Sequence, residues 1–210
     1  MKYFLLNIIS VVSSLSSYIY SPKIARLMIL IKSVWIGNLN KRYFKYCGDG
    51  LKIKSGSYFL GHSHISMGDN VSFGYNSVCT AWREYNGVKQ TPLIVIGNNC
   101  SFGDRIHITS INSISIGESL LTGRDVMITD NSHGNIKKEE LSLSPLMRNL
   151  YSKGRINIGN NVWMGDKVTI LPGVTLGNGC IVGANSVVTK SFPDNSIIAG
   201  NPAKLIKQLY

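Results

Sequence analysis

Residues 155–190 read RINIGNNVWMGDKVTILPGVTLGNGCIVGANSVVTK, and this stretch decides the fold. Within it Ile158, Met164, Ile170, Leu176, Val182 and Val188 fall six residues apart without a slip. Four residues after each come Val162, Val168, Val174, Cys180, Ser186 and Phe192, mostly small or β-branched. Gly159, Gly165, Gly177 and Gly183 follow the aliphatic at four of the six steps. A helix repeats its apolar residues about every 3.6 positions, so this spacing excludes an amphipathic helix or a heptad coil. A short strand with alternate side chains inward, then a Gly or Asn able to take positive φ, satisfies it. Three such strands close one triangular coil. Successive coils then stack through parallel backbone hydrogen bonds and ladders of like side chains.

Working upstream, the pattern returns with breaks. Met67-Gly68 and Phe73-Gly74 begin it, with Val71 and Ser77 as companions. Residues 79–93 (CTAWREYNGVKQTPL) interrupt it, and it resumes at Ile96-Gly97, Phe102-Gly103 and Ile108. After a short slip it continues at Ile116-Gly117, Thr122-Gly123 and Ile128, and a longer break covers 131–154 (NSHGNIKKEELSLSPLMRNLYSKG). Loops that leave a regular solenoid are where function concentrates. The chain therefore divides into a helical, basic segment at 1–55, a solenoid at 56–194 with loops at 79–93 and 131–154, and a capping segment at 195–210. In that last segment AKLIKQLY, after Pro202, reads as a short amphipathic helix over the final coil.

At 210 residues the chain suits one domain with an appendage, and 44% hydrophobic against 16% charged residues argues against disorder. The net charge of +11 is uneven: residues 1–54 hold nine Lys/Arg against the single acid Asp49. That concentration points to an anionic partner, whether phospholipid head groups, an acidic glycan or nucleic acid. Tyr3 to Val12 is nearly apolar and runs into a serine-rich stretch, as in a signal peptide, without a crisp cleavage site. Ile24 to Ile36 is also apolar but carries Arg26 and Lys32. Neither reaches the roughly 20 clean apolar residues of a spanning helix. They read as two amphipathic helices that either pack on the main domain or lie on a membrane surface. Cys47, Cys79, Cys100 and Cys180 form no CxxC pair and read as reduced thiols, Cys100 and Cys180 in repeat positions that take a small apolar side chain.

The motifs IHITSINSISIGESLLTGRDVMITDNSHG and NVWMGDKVTILPGVTLGNGCIVGANSVVTKSFPDNSIIAGNPAKLIK carry a resemblance over residues 93–207. They resemble the hexapeptide-repeat acetyltransferases, the group of the maltose and galactoside O-acetyltransferases, and more closely those that modify bacterial surface polysaccharides. The resemblance implies an all-β solenoid, a left-handed parallel β-helix, assembled as a homotrimer with active sites between subunits. It further implies acetyl-CoA as co-substrate, a saccharide acceptor, no metal, no nucleic acid, and a place in the cytoplasm or at the inner face of its membrane. N-acetylation of a nucleotide-linked amino sugar and a non-catalytic scaffold are the alternatives. The first lacks its usual N-terminal nucleotide-binding unit here, and the second predicts a degenerate cleft.

By the same resemblance His133, in DNSHG, matches the loop histidine that deprotonates the acceptor hydroxyl. Imidazole, with a pKa near neutrality, suits that task. Asp130 is the candidate to orient it, with an Asx turn as the alternative; Asn131 adjoins both and, with His107, is a candidate substrate contact. His107 lies between Ile106 and Ile108, so its side chain points outward to a cleft or to solvent. Trp163 matches an aromatic of the acceptor cleft. Gly165 and Ala184 match positions whose backbone meets the pantetheine arm, and Thr189, Lys190, Lys204 and Lys207 those near the nucleotide and phosphates. The family's acceptor Asn falls at Gly103 here. Its neighbour Arg105 is expected to favour an acidic or lipid-linked acceptor.

Overall fold

The computed structural model describes residues 2–18, 20–135 and 137–209; of the segments drawn above, Met1, Ile19, Ile136 and Tyr210 lie outside them. Two helices open the chain, α1 (Lys2–Ser17) and α2 (Pro22–Lys41). The rest winds into a left-handed parallel β-helix with three faces.

The first face stacks six strands from Tyr46–Cys47 to Thr175–Leu176. The second stacks Lys52–Ile53, Ser72–Phe73, Ser101–Phe102, Leu121–Thr122, Trp163–Met164 and Ile181–Val182, and ends in Ser196–Gly200 with Ala203–Gln208. The third stacks Tyr58–Leu60, Val78–Ala81, His107–Ser110, Met127–Thr129, Thr169–Ile170 and Val187–Val188. Registers keep like above like: His107 sits over Val78 and under Met127, and Ile108 lies between Cys79 and Ile128. The inward column from Ile65 to Ile198 forms one continuous buried core, in which Phe73 stacks on Phe102 with ring centroids 4.8 Å apart.

The corners explain the sequence. Between the first and second faces Asn70, Asn99, Ser119, Asn161 and Asn195 all take φ near +57, a conformation that Asn tolerates through local side-chain hydrogen bonding. The corner side chains tie coil to coil: Asn98 Oδ1 accepts from the Asp69 N–H at 2.8 Å, and Asn160 Oδ1 from the Glu118 N–H at 2.8 Å. Cys79, Cys100 and Cys180 are buried and all four cysteines are free; burial pushes the Cys79 thiol up to about 12.

Three boundaries differ from the expectations above. The coil begins at Tyr46, not 56, since the two-residue strands 46–47 and 52–53 are too short to show a period on their own. Cys79–Ala81 and Leu93 belong to coil strands, so the first loop is only 82–92. The C-terminal helix is absent: Ala203–Gln208 is a strand, antiparallel to Ser196–Gly200. An eight-residue amphipathic stretch fits either period, and the exposed backbone edge of Ser196–Gly200 decides for the strand.

Candidate active site

Both insertions leave the coil at the corner between the third and first faces, so they meet. The first folds as a hairpin, Glu84–Tyr85 against Val88–Lys89, turned by Asn86-Gly87, both at positive φ. The second opens with Ser132–His133 paired antiparallel to Leu150–Tyr151. The two clasp each other: the Asn86 side-chain amide donates to the Leu146 carbonyl at 3.0 Å, and the Tyr85 hydroxyl donates to the same oxygen at 3.3 Å.

This clasp fixes the surroundings of His133. Its Nδ1 lies 3.4 Å from the Tyr85 hydroxyl oxygen, and the two rings meet edge to face. If the Tyr85 proton is directed at Leu146, its oxygen accepts from Nδ1–H and Nε2 carries the lone pair. His133 and His107 share a cleft of about 400 Å³ with Tyr58, Trp82, Tyr85 and the stacked Thr80, Thr109 and Thr129. The Trp82 indole N–H donates to Thr109 Oγ1 at 3.2 Å, whereas the buried Thr80 hydroxyl has no partner among the described residues. His107 faces the cleft from the third sheet, and the packed walls push its pKa below the ordinary histidine value by desolvation. A second cleft of about 690 Å³ lies on the other side of Asn131 and Ser132. It is lined by Lys137, Tyr151, Lys153, Leu171, Pro172 and Thr189.

Asp130 is engaged by groups other than His133. Its fully buried carboxylate accepts from Ser110 Oγ at 2.6 Å, from the N–H groups of Ile111 and Asn112 at 2.9 and 3.0 Å, and from Asn131 Nδ2 at 3.2 Å. None of its bonds reaches His133. It locks the corner from which the second insertion departs, and so positions the histidine through the backbone.

Residues 155–190 match the model of the bacterial transferase hexapeptide family (six repeats). The putative lipopolysaccharide biosynthesis O-acetyl transferase WbbJ of Escherichia coli (strain K12) is 41% identical over 155 residues, 72% of this chain and 75% of its own. The chain belongs to the hexapeptide-repeat acetyltransferases. Galactoside O-acetyltransferase of the same organism is 33% identical over 121 residues, covering 55% of this chain and 54% of its own. A galactoside acetyltransferase solved in complex with coenzyme A superposes with a TM-score of 0.52 at 25% identity, over 82% of this chain and 69% of that one. AntD, an N-acyltransferase from Bacillus cereus, shares the fold with a TM-score of 0.66 at 20% identity, over 81% and 88% of the two chains.

In this acetyltransferase the remaining candidates scatter. Thr189 joins the larger cleft, and Asn131 lines both. Gly165 and Ala184 stack at the corner between the second and third faces, where a methyl on Gly165 would come within 2.7 Å of the Ala184 nitrogen. The repeat alone therefore requires a glycine there. Lys190 lies over the Phe192 ring, while Lys204 and Lys207 stand on the terminal strand; none of the three lines either cleft. Trp163 is half-exposed on the outer side of the second face, in one column with Leu121 and Ile181, away from the cleft of its own chain. Arg105 lines neither cleft of its own chain. It sits at the second corner with φ +55 and spends its guanidinium on both oxygens of Asp125, at 2.6 and 2.8 Å, holding that carboxyl below its usual range. Tyr85, Thr80 and Lys153 had no signal in the repeat, because each reaches the site only through the folded insertions or the outward side of a coil strand.

Proposed function

We propose that this acetyltransferase moves an acetyl group from acetyl-CoA to a saccharide hydroxyl in surface-polysaccharide assembly, with His133 as general base. The observation that carries the reading is the shared cleft of His133 and His107, with a phenol on Nδ1 and the unpartnered Thr80 hydroxyl in its wall. A buried hydroxyl without a partner costs free energy, and an acceptor sugar supplies the missing bond. The larger cleft on the other side of Asn131 and Ser132 suits the donor: Leu171 and Pro172 for a thin apolar arm, Lys137 and Lys153 for phosphates. The 41% identity to an O-acetyl transferase of lipopolysaccharide biosynthesis supports the acceptor class.

In this mechanism Nε2 takes the hydroxyl proton as the sugar oxygen attacks the thioester carbonyl carbon. The carbon–sulfur bond breaks, and the departing thiolate takes the proton back from the imidazolium. Acetyl ester and CoA thiol are the products. Tyr85 holds the tautomer, and its 3.4 Å contact is at the outer edge of hydrogen-bond range, to be drawn in when substrate binds. The same reading has a homotrimer with sites between subunits, working in the cytoplasm on a free or carrier-linked acceptor.

The test is acceptor-dependent release of CoA thiol over a saccharide panel, with the product read by mass spectrometry. His133→Ala is expected to lower kcat by about 10²–10⁴-fold at unchanged melting temperature. Equal turnover by wild type and His133→Ala with a competent acceptor overturns the assignment.

A further inference from the structure

We infer that α1 and the outer face of α2 form a docking surface for an anionic phospholipid bilayer. The inference goes beyond acetyl transfer and does not depend on it.

The orientation of α2 carries the argument. Its contact with the β-helix is narrow: Ser33 and Gly37 are its fully buried positions, Ile36 beside them is partly buried against the core, and a methyl at Gly37 would run into the Leu51 carbonyl. At about 100° per residue, Ile24, Leu27, Met28, Ile31 and Trp35 fall on the opposite side. All five are exposed, Trp35 by 65%. A helix of a water-soluble domain does the reverse, turning its apolar stripe inward. α1 repeats the anomaly, since none of its residues is buried and Phe4 is 71% exposed.

Charge selects the occupant. Residues 2–45 hold seven Lys/Arg and no acid. Lys23 and Lys32 flank the apolar stripe of α2 and form no ion pair among the described residues. Two copies facing each other through this surface would bring like charges together, whereas anionic head groups neutralise them while the acyl boundary takes the apolar stripe. Among the described residues no single helix is long and apolar enough to cross a membrane, and α1 and α2 meet that test only together, across a 98° bend; the proposal has them lie on the bilayer.

The experiment uses the full chain with phosphatidylcholine vesicles with and without phosphatidylglycerol. Co-sedimentation is expected with the anionic vesicles at low salt and is weakened by salt. The combined variant Lys23→Glu, Arg26→Glu, Lys32→Glu is expected to cut the bound fraction at least about tenfold. Brominated lipid is expected to quench tryptophan emission, and Trp35→Phe to abolish that quenching. Absence of binding to anionic vesicles at low salt overturns the inference. So does a change of oligomeric state in Ile31→Asp, read by light scattering, with vesicle binding intact, since the face would then belong to a second copy. Acetyl transfer to a soluble acceptor is expected to persist in these variants. Loss of vesicle binding and loss of the catalytic reading are thus separate results.

Discussion

A buried carboxylate with four donors around it is a structural device before it is a catalytic one. Removing Asp130 strands the Ser110 hydroxyl and two backbone N–H groups in a dry corner. Asp130→Ala is expected to lower stability by several kcal/mol, at about 1–3 kcal/mol for each buried donor left without a partner. Denaturant unfolding checks it, and turnover is expected to fall as well, because the corner that positions His133 is no longer locked. His107 gives a pH signature of known sign. Its folded pKa lies below the unfolded value of about 6.5, so the unfolded chain binds more protons between the two. Stability is therefore complete above about pH 6.5 and declines as pH falls through the folded pKa. Burial lowers the His62 pKa as well, among Tyr43, Phe44 and Phe59, and adds a contribution of the same sign. His107→Gln is expected to reduce, not remove, the drop in melting temperature between pH 7.5 and 5.5; an unchanged drop refutes it.

The coil and its insertions obey different rules, and this separates what could be read in advance from what could not. Met164 to Val188 announce their inward column because each strand is two residues long and every corner consumes four, so geometry is written into spacing. His133 was legible only through its motif. Tyr85 was silent, because its position depends on how two insertions, 48 residues apart in sequence, fold against each other at one corner. The partner of Arg105 was hidden for a related reason: its basic side chain suggested an anion, and the stacking of one coil on the next supplied Asp125 within the chain. The independence of the elements makes a test. Strands 78–81 and 93–96 pair with their neighbours without help from the hairpin, and the Gln90 N–H already reaches the Arg83 carbonyl at 2.8 Å. Replacing residues 84–89 by two glycines is expected to leave the melting temperature within a few degrees. Turnover should fall at least as far as in Tyr85→Phe. A collapse of the coil would mean that the hairpin holds it together.

At the scale of the whole molecule, one chain does not assemble all the residues assigned to the chemistry. His133 and His107 face the cleft on the third sheet, while Trp163 projects from the second, beside the exposed Leu121. A column of large apolar side chains on a flat parallel sheet is a surface built to be covered. A symmetric trimer would bring that column of one copy towards the insertions of the next. If Trp163 serves the site of its neighbour, then His133→Ala and Trp163→Ala are lesions in different halves of a shared site. Each variant alone is expected to be nearly inactive at normal stability. Unfolded together and refolded as a mixture, they regain activity, because statistical assembly makes roughly one interface in four wild type. The measurement is turnover of the mixed refolding against the sum of the two separate ones. A sum without gain assigns Trp163 to packing between copies and leaves the site to a single chain.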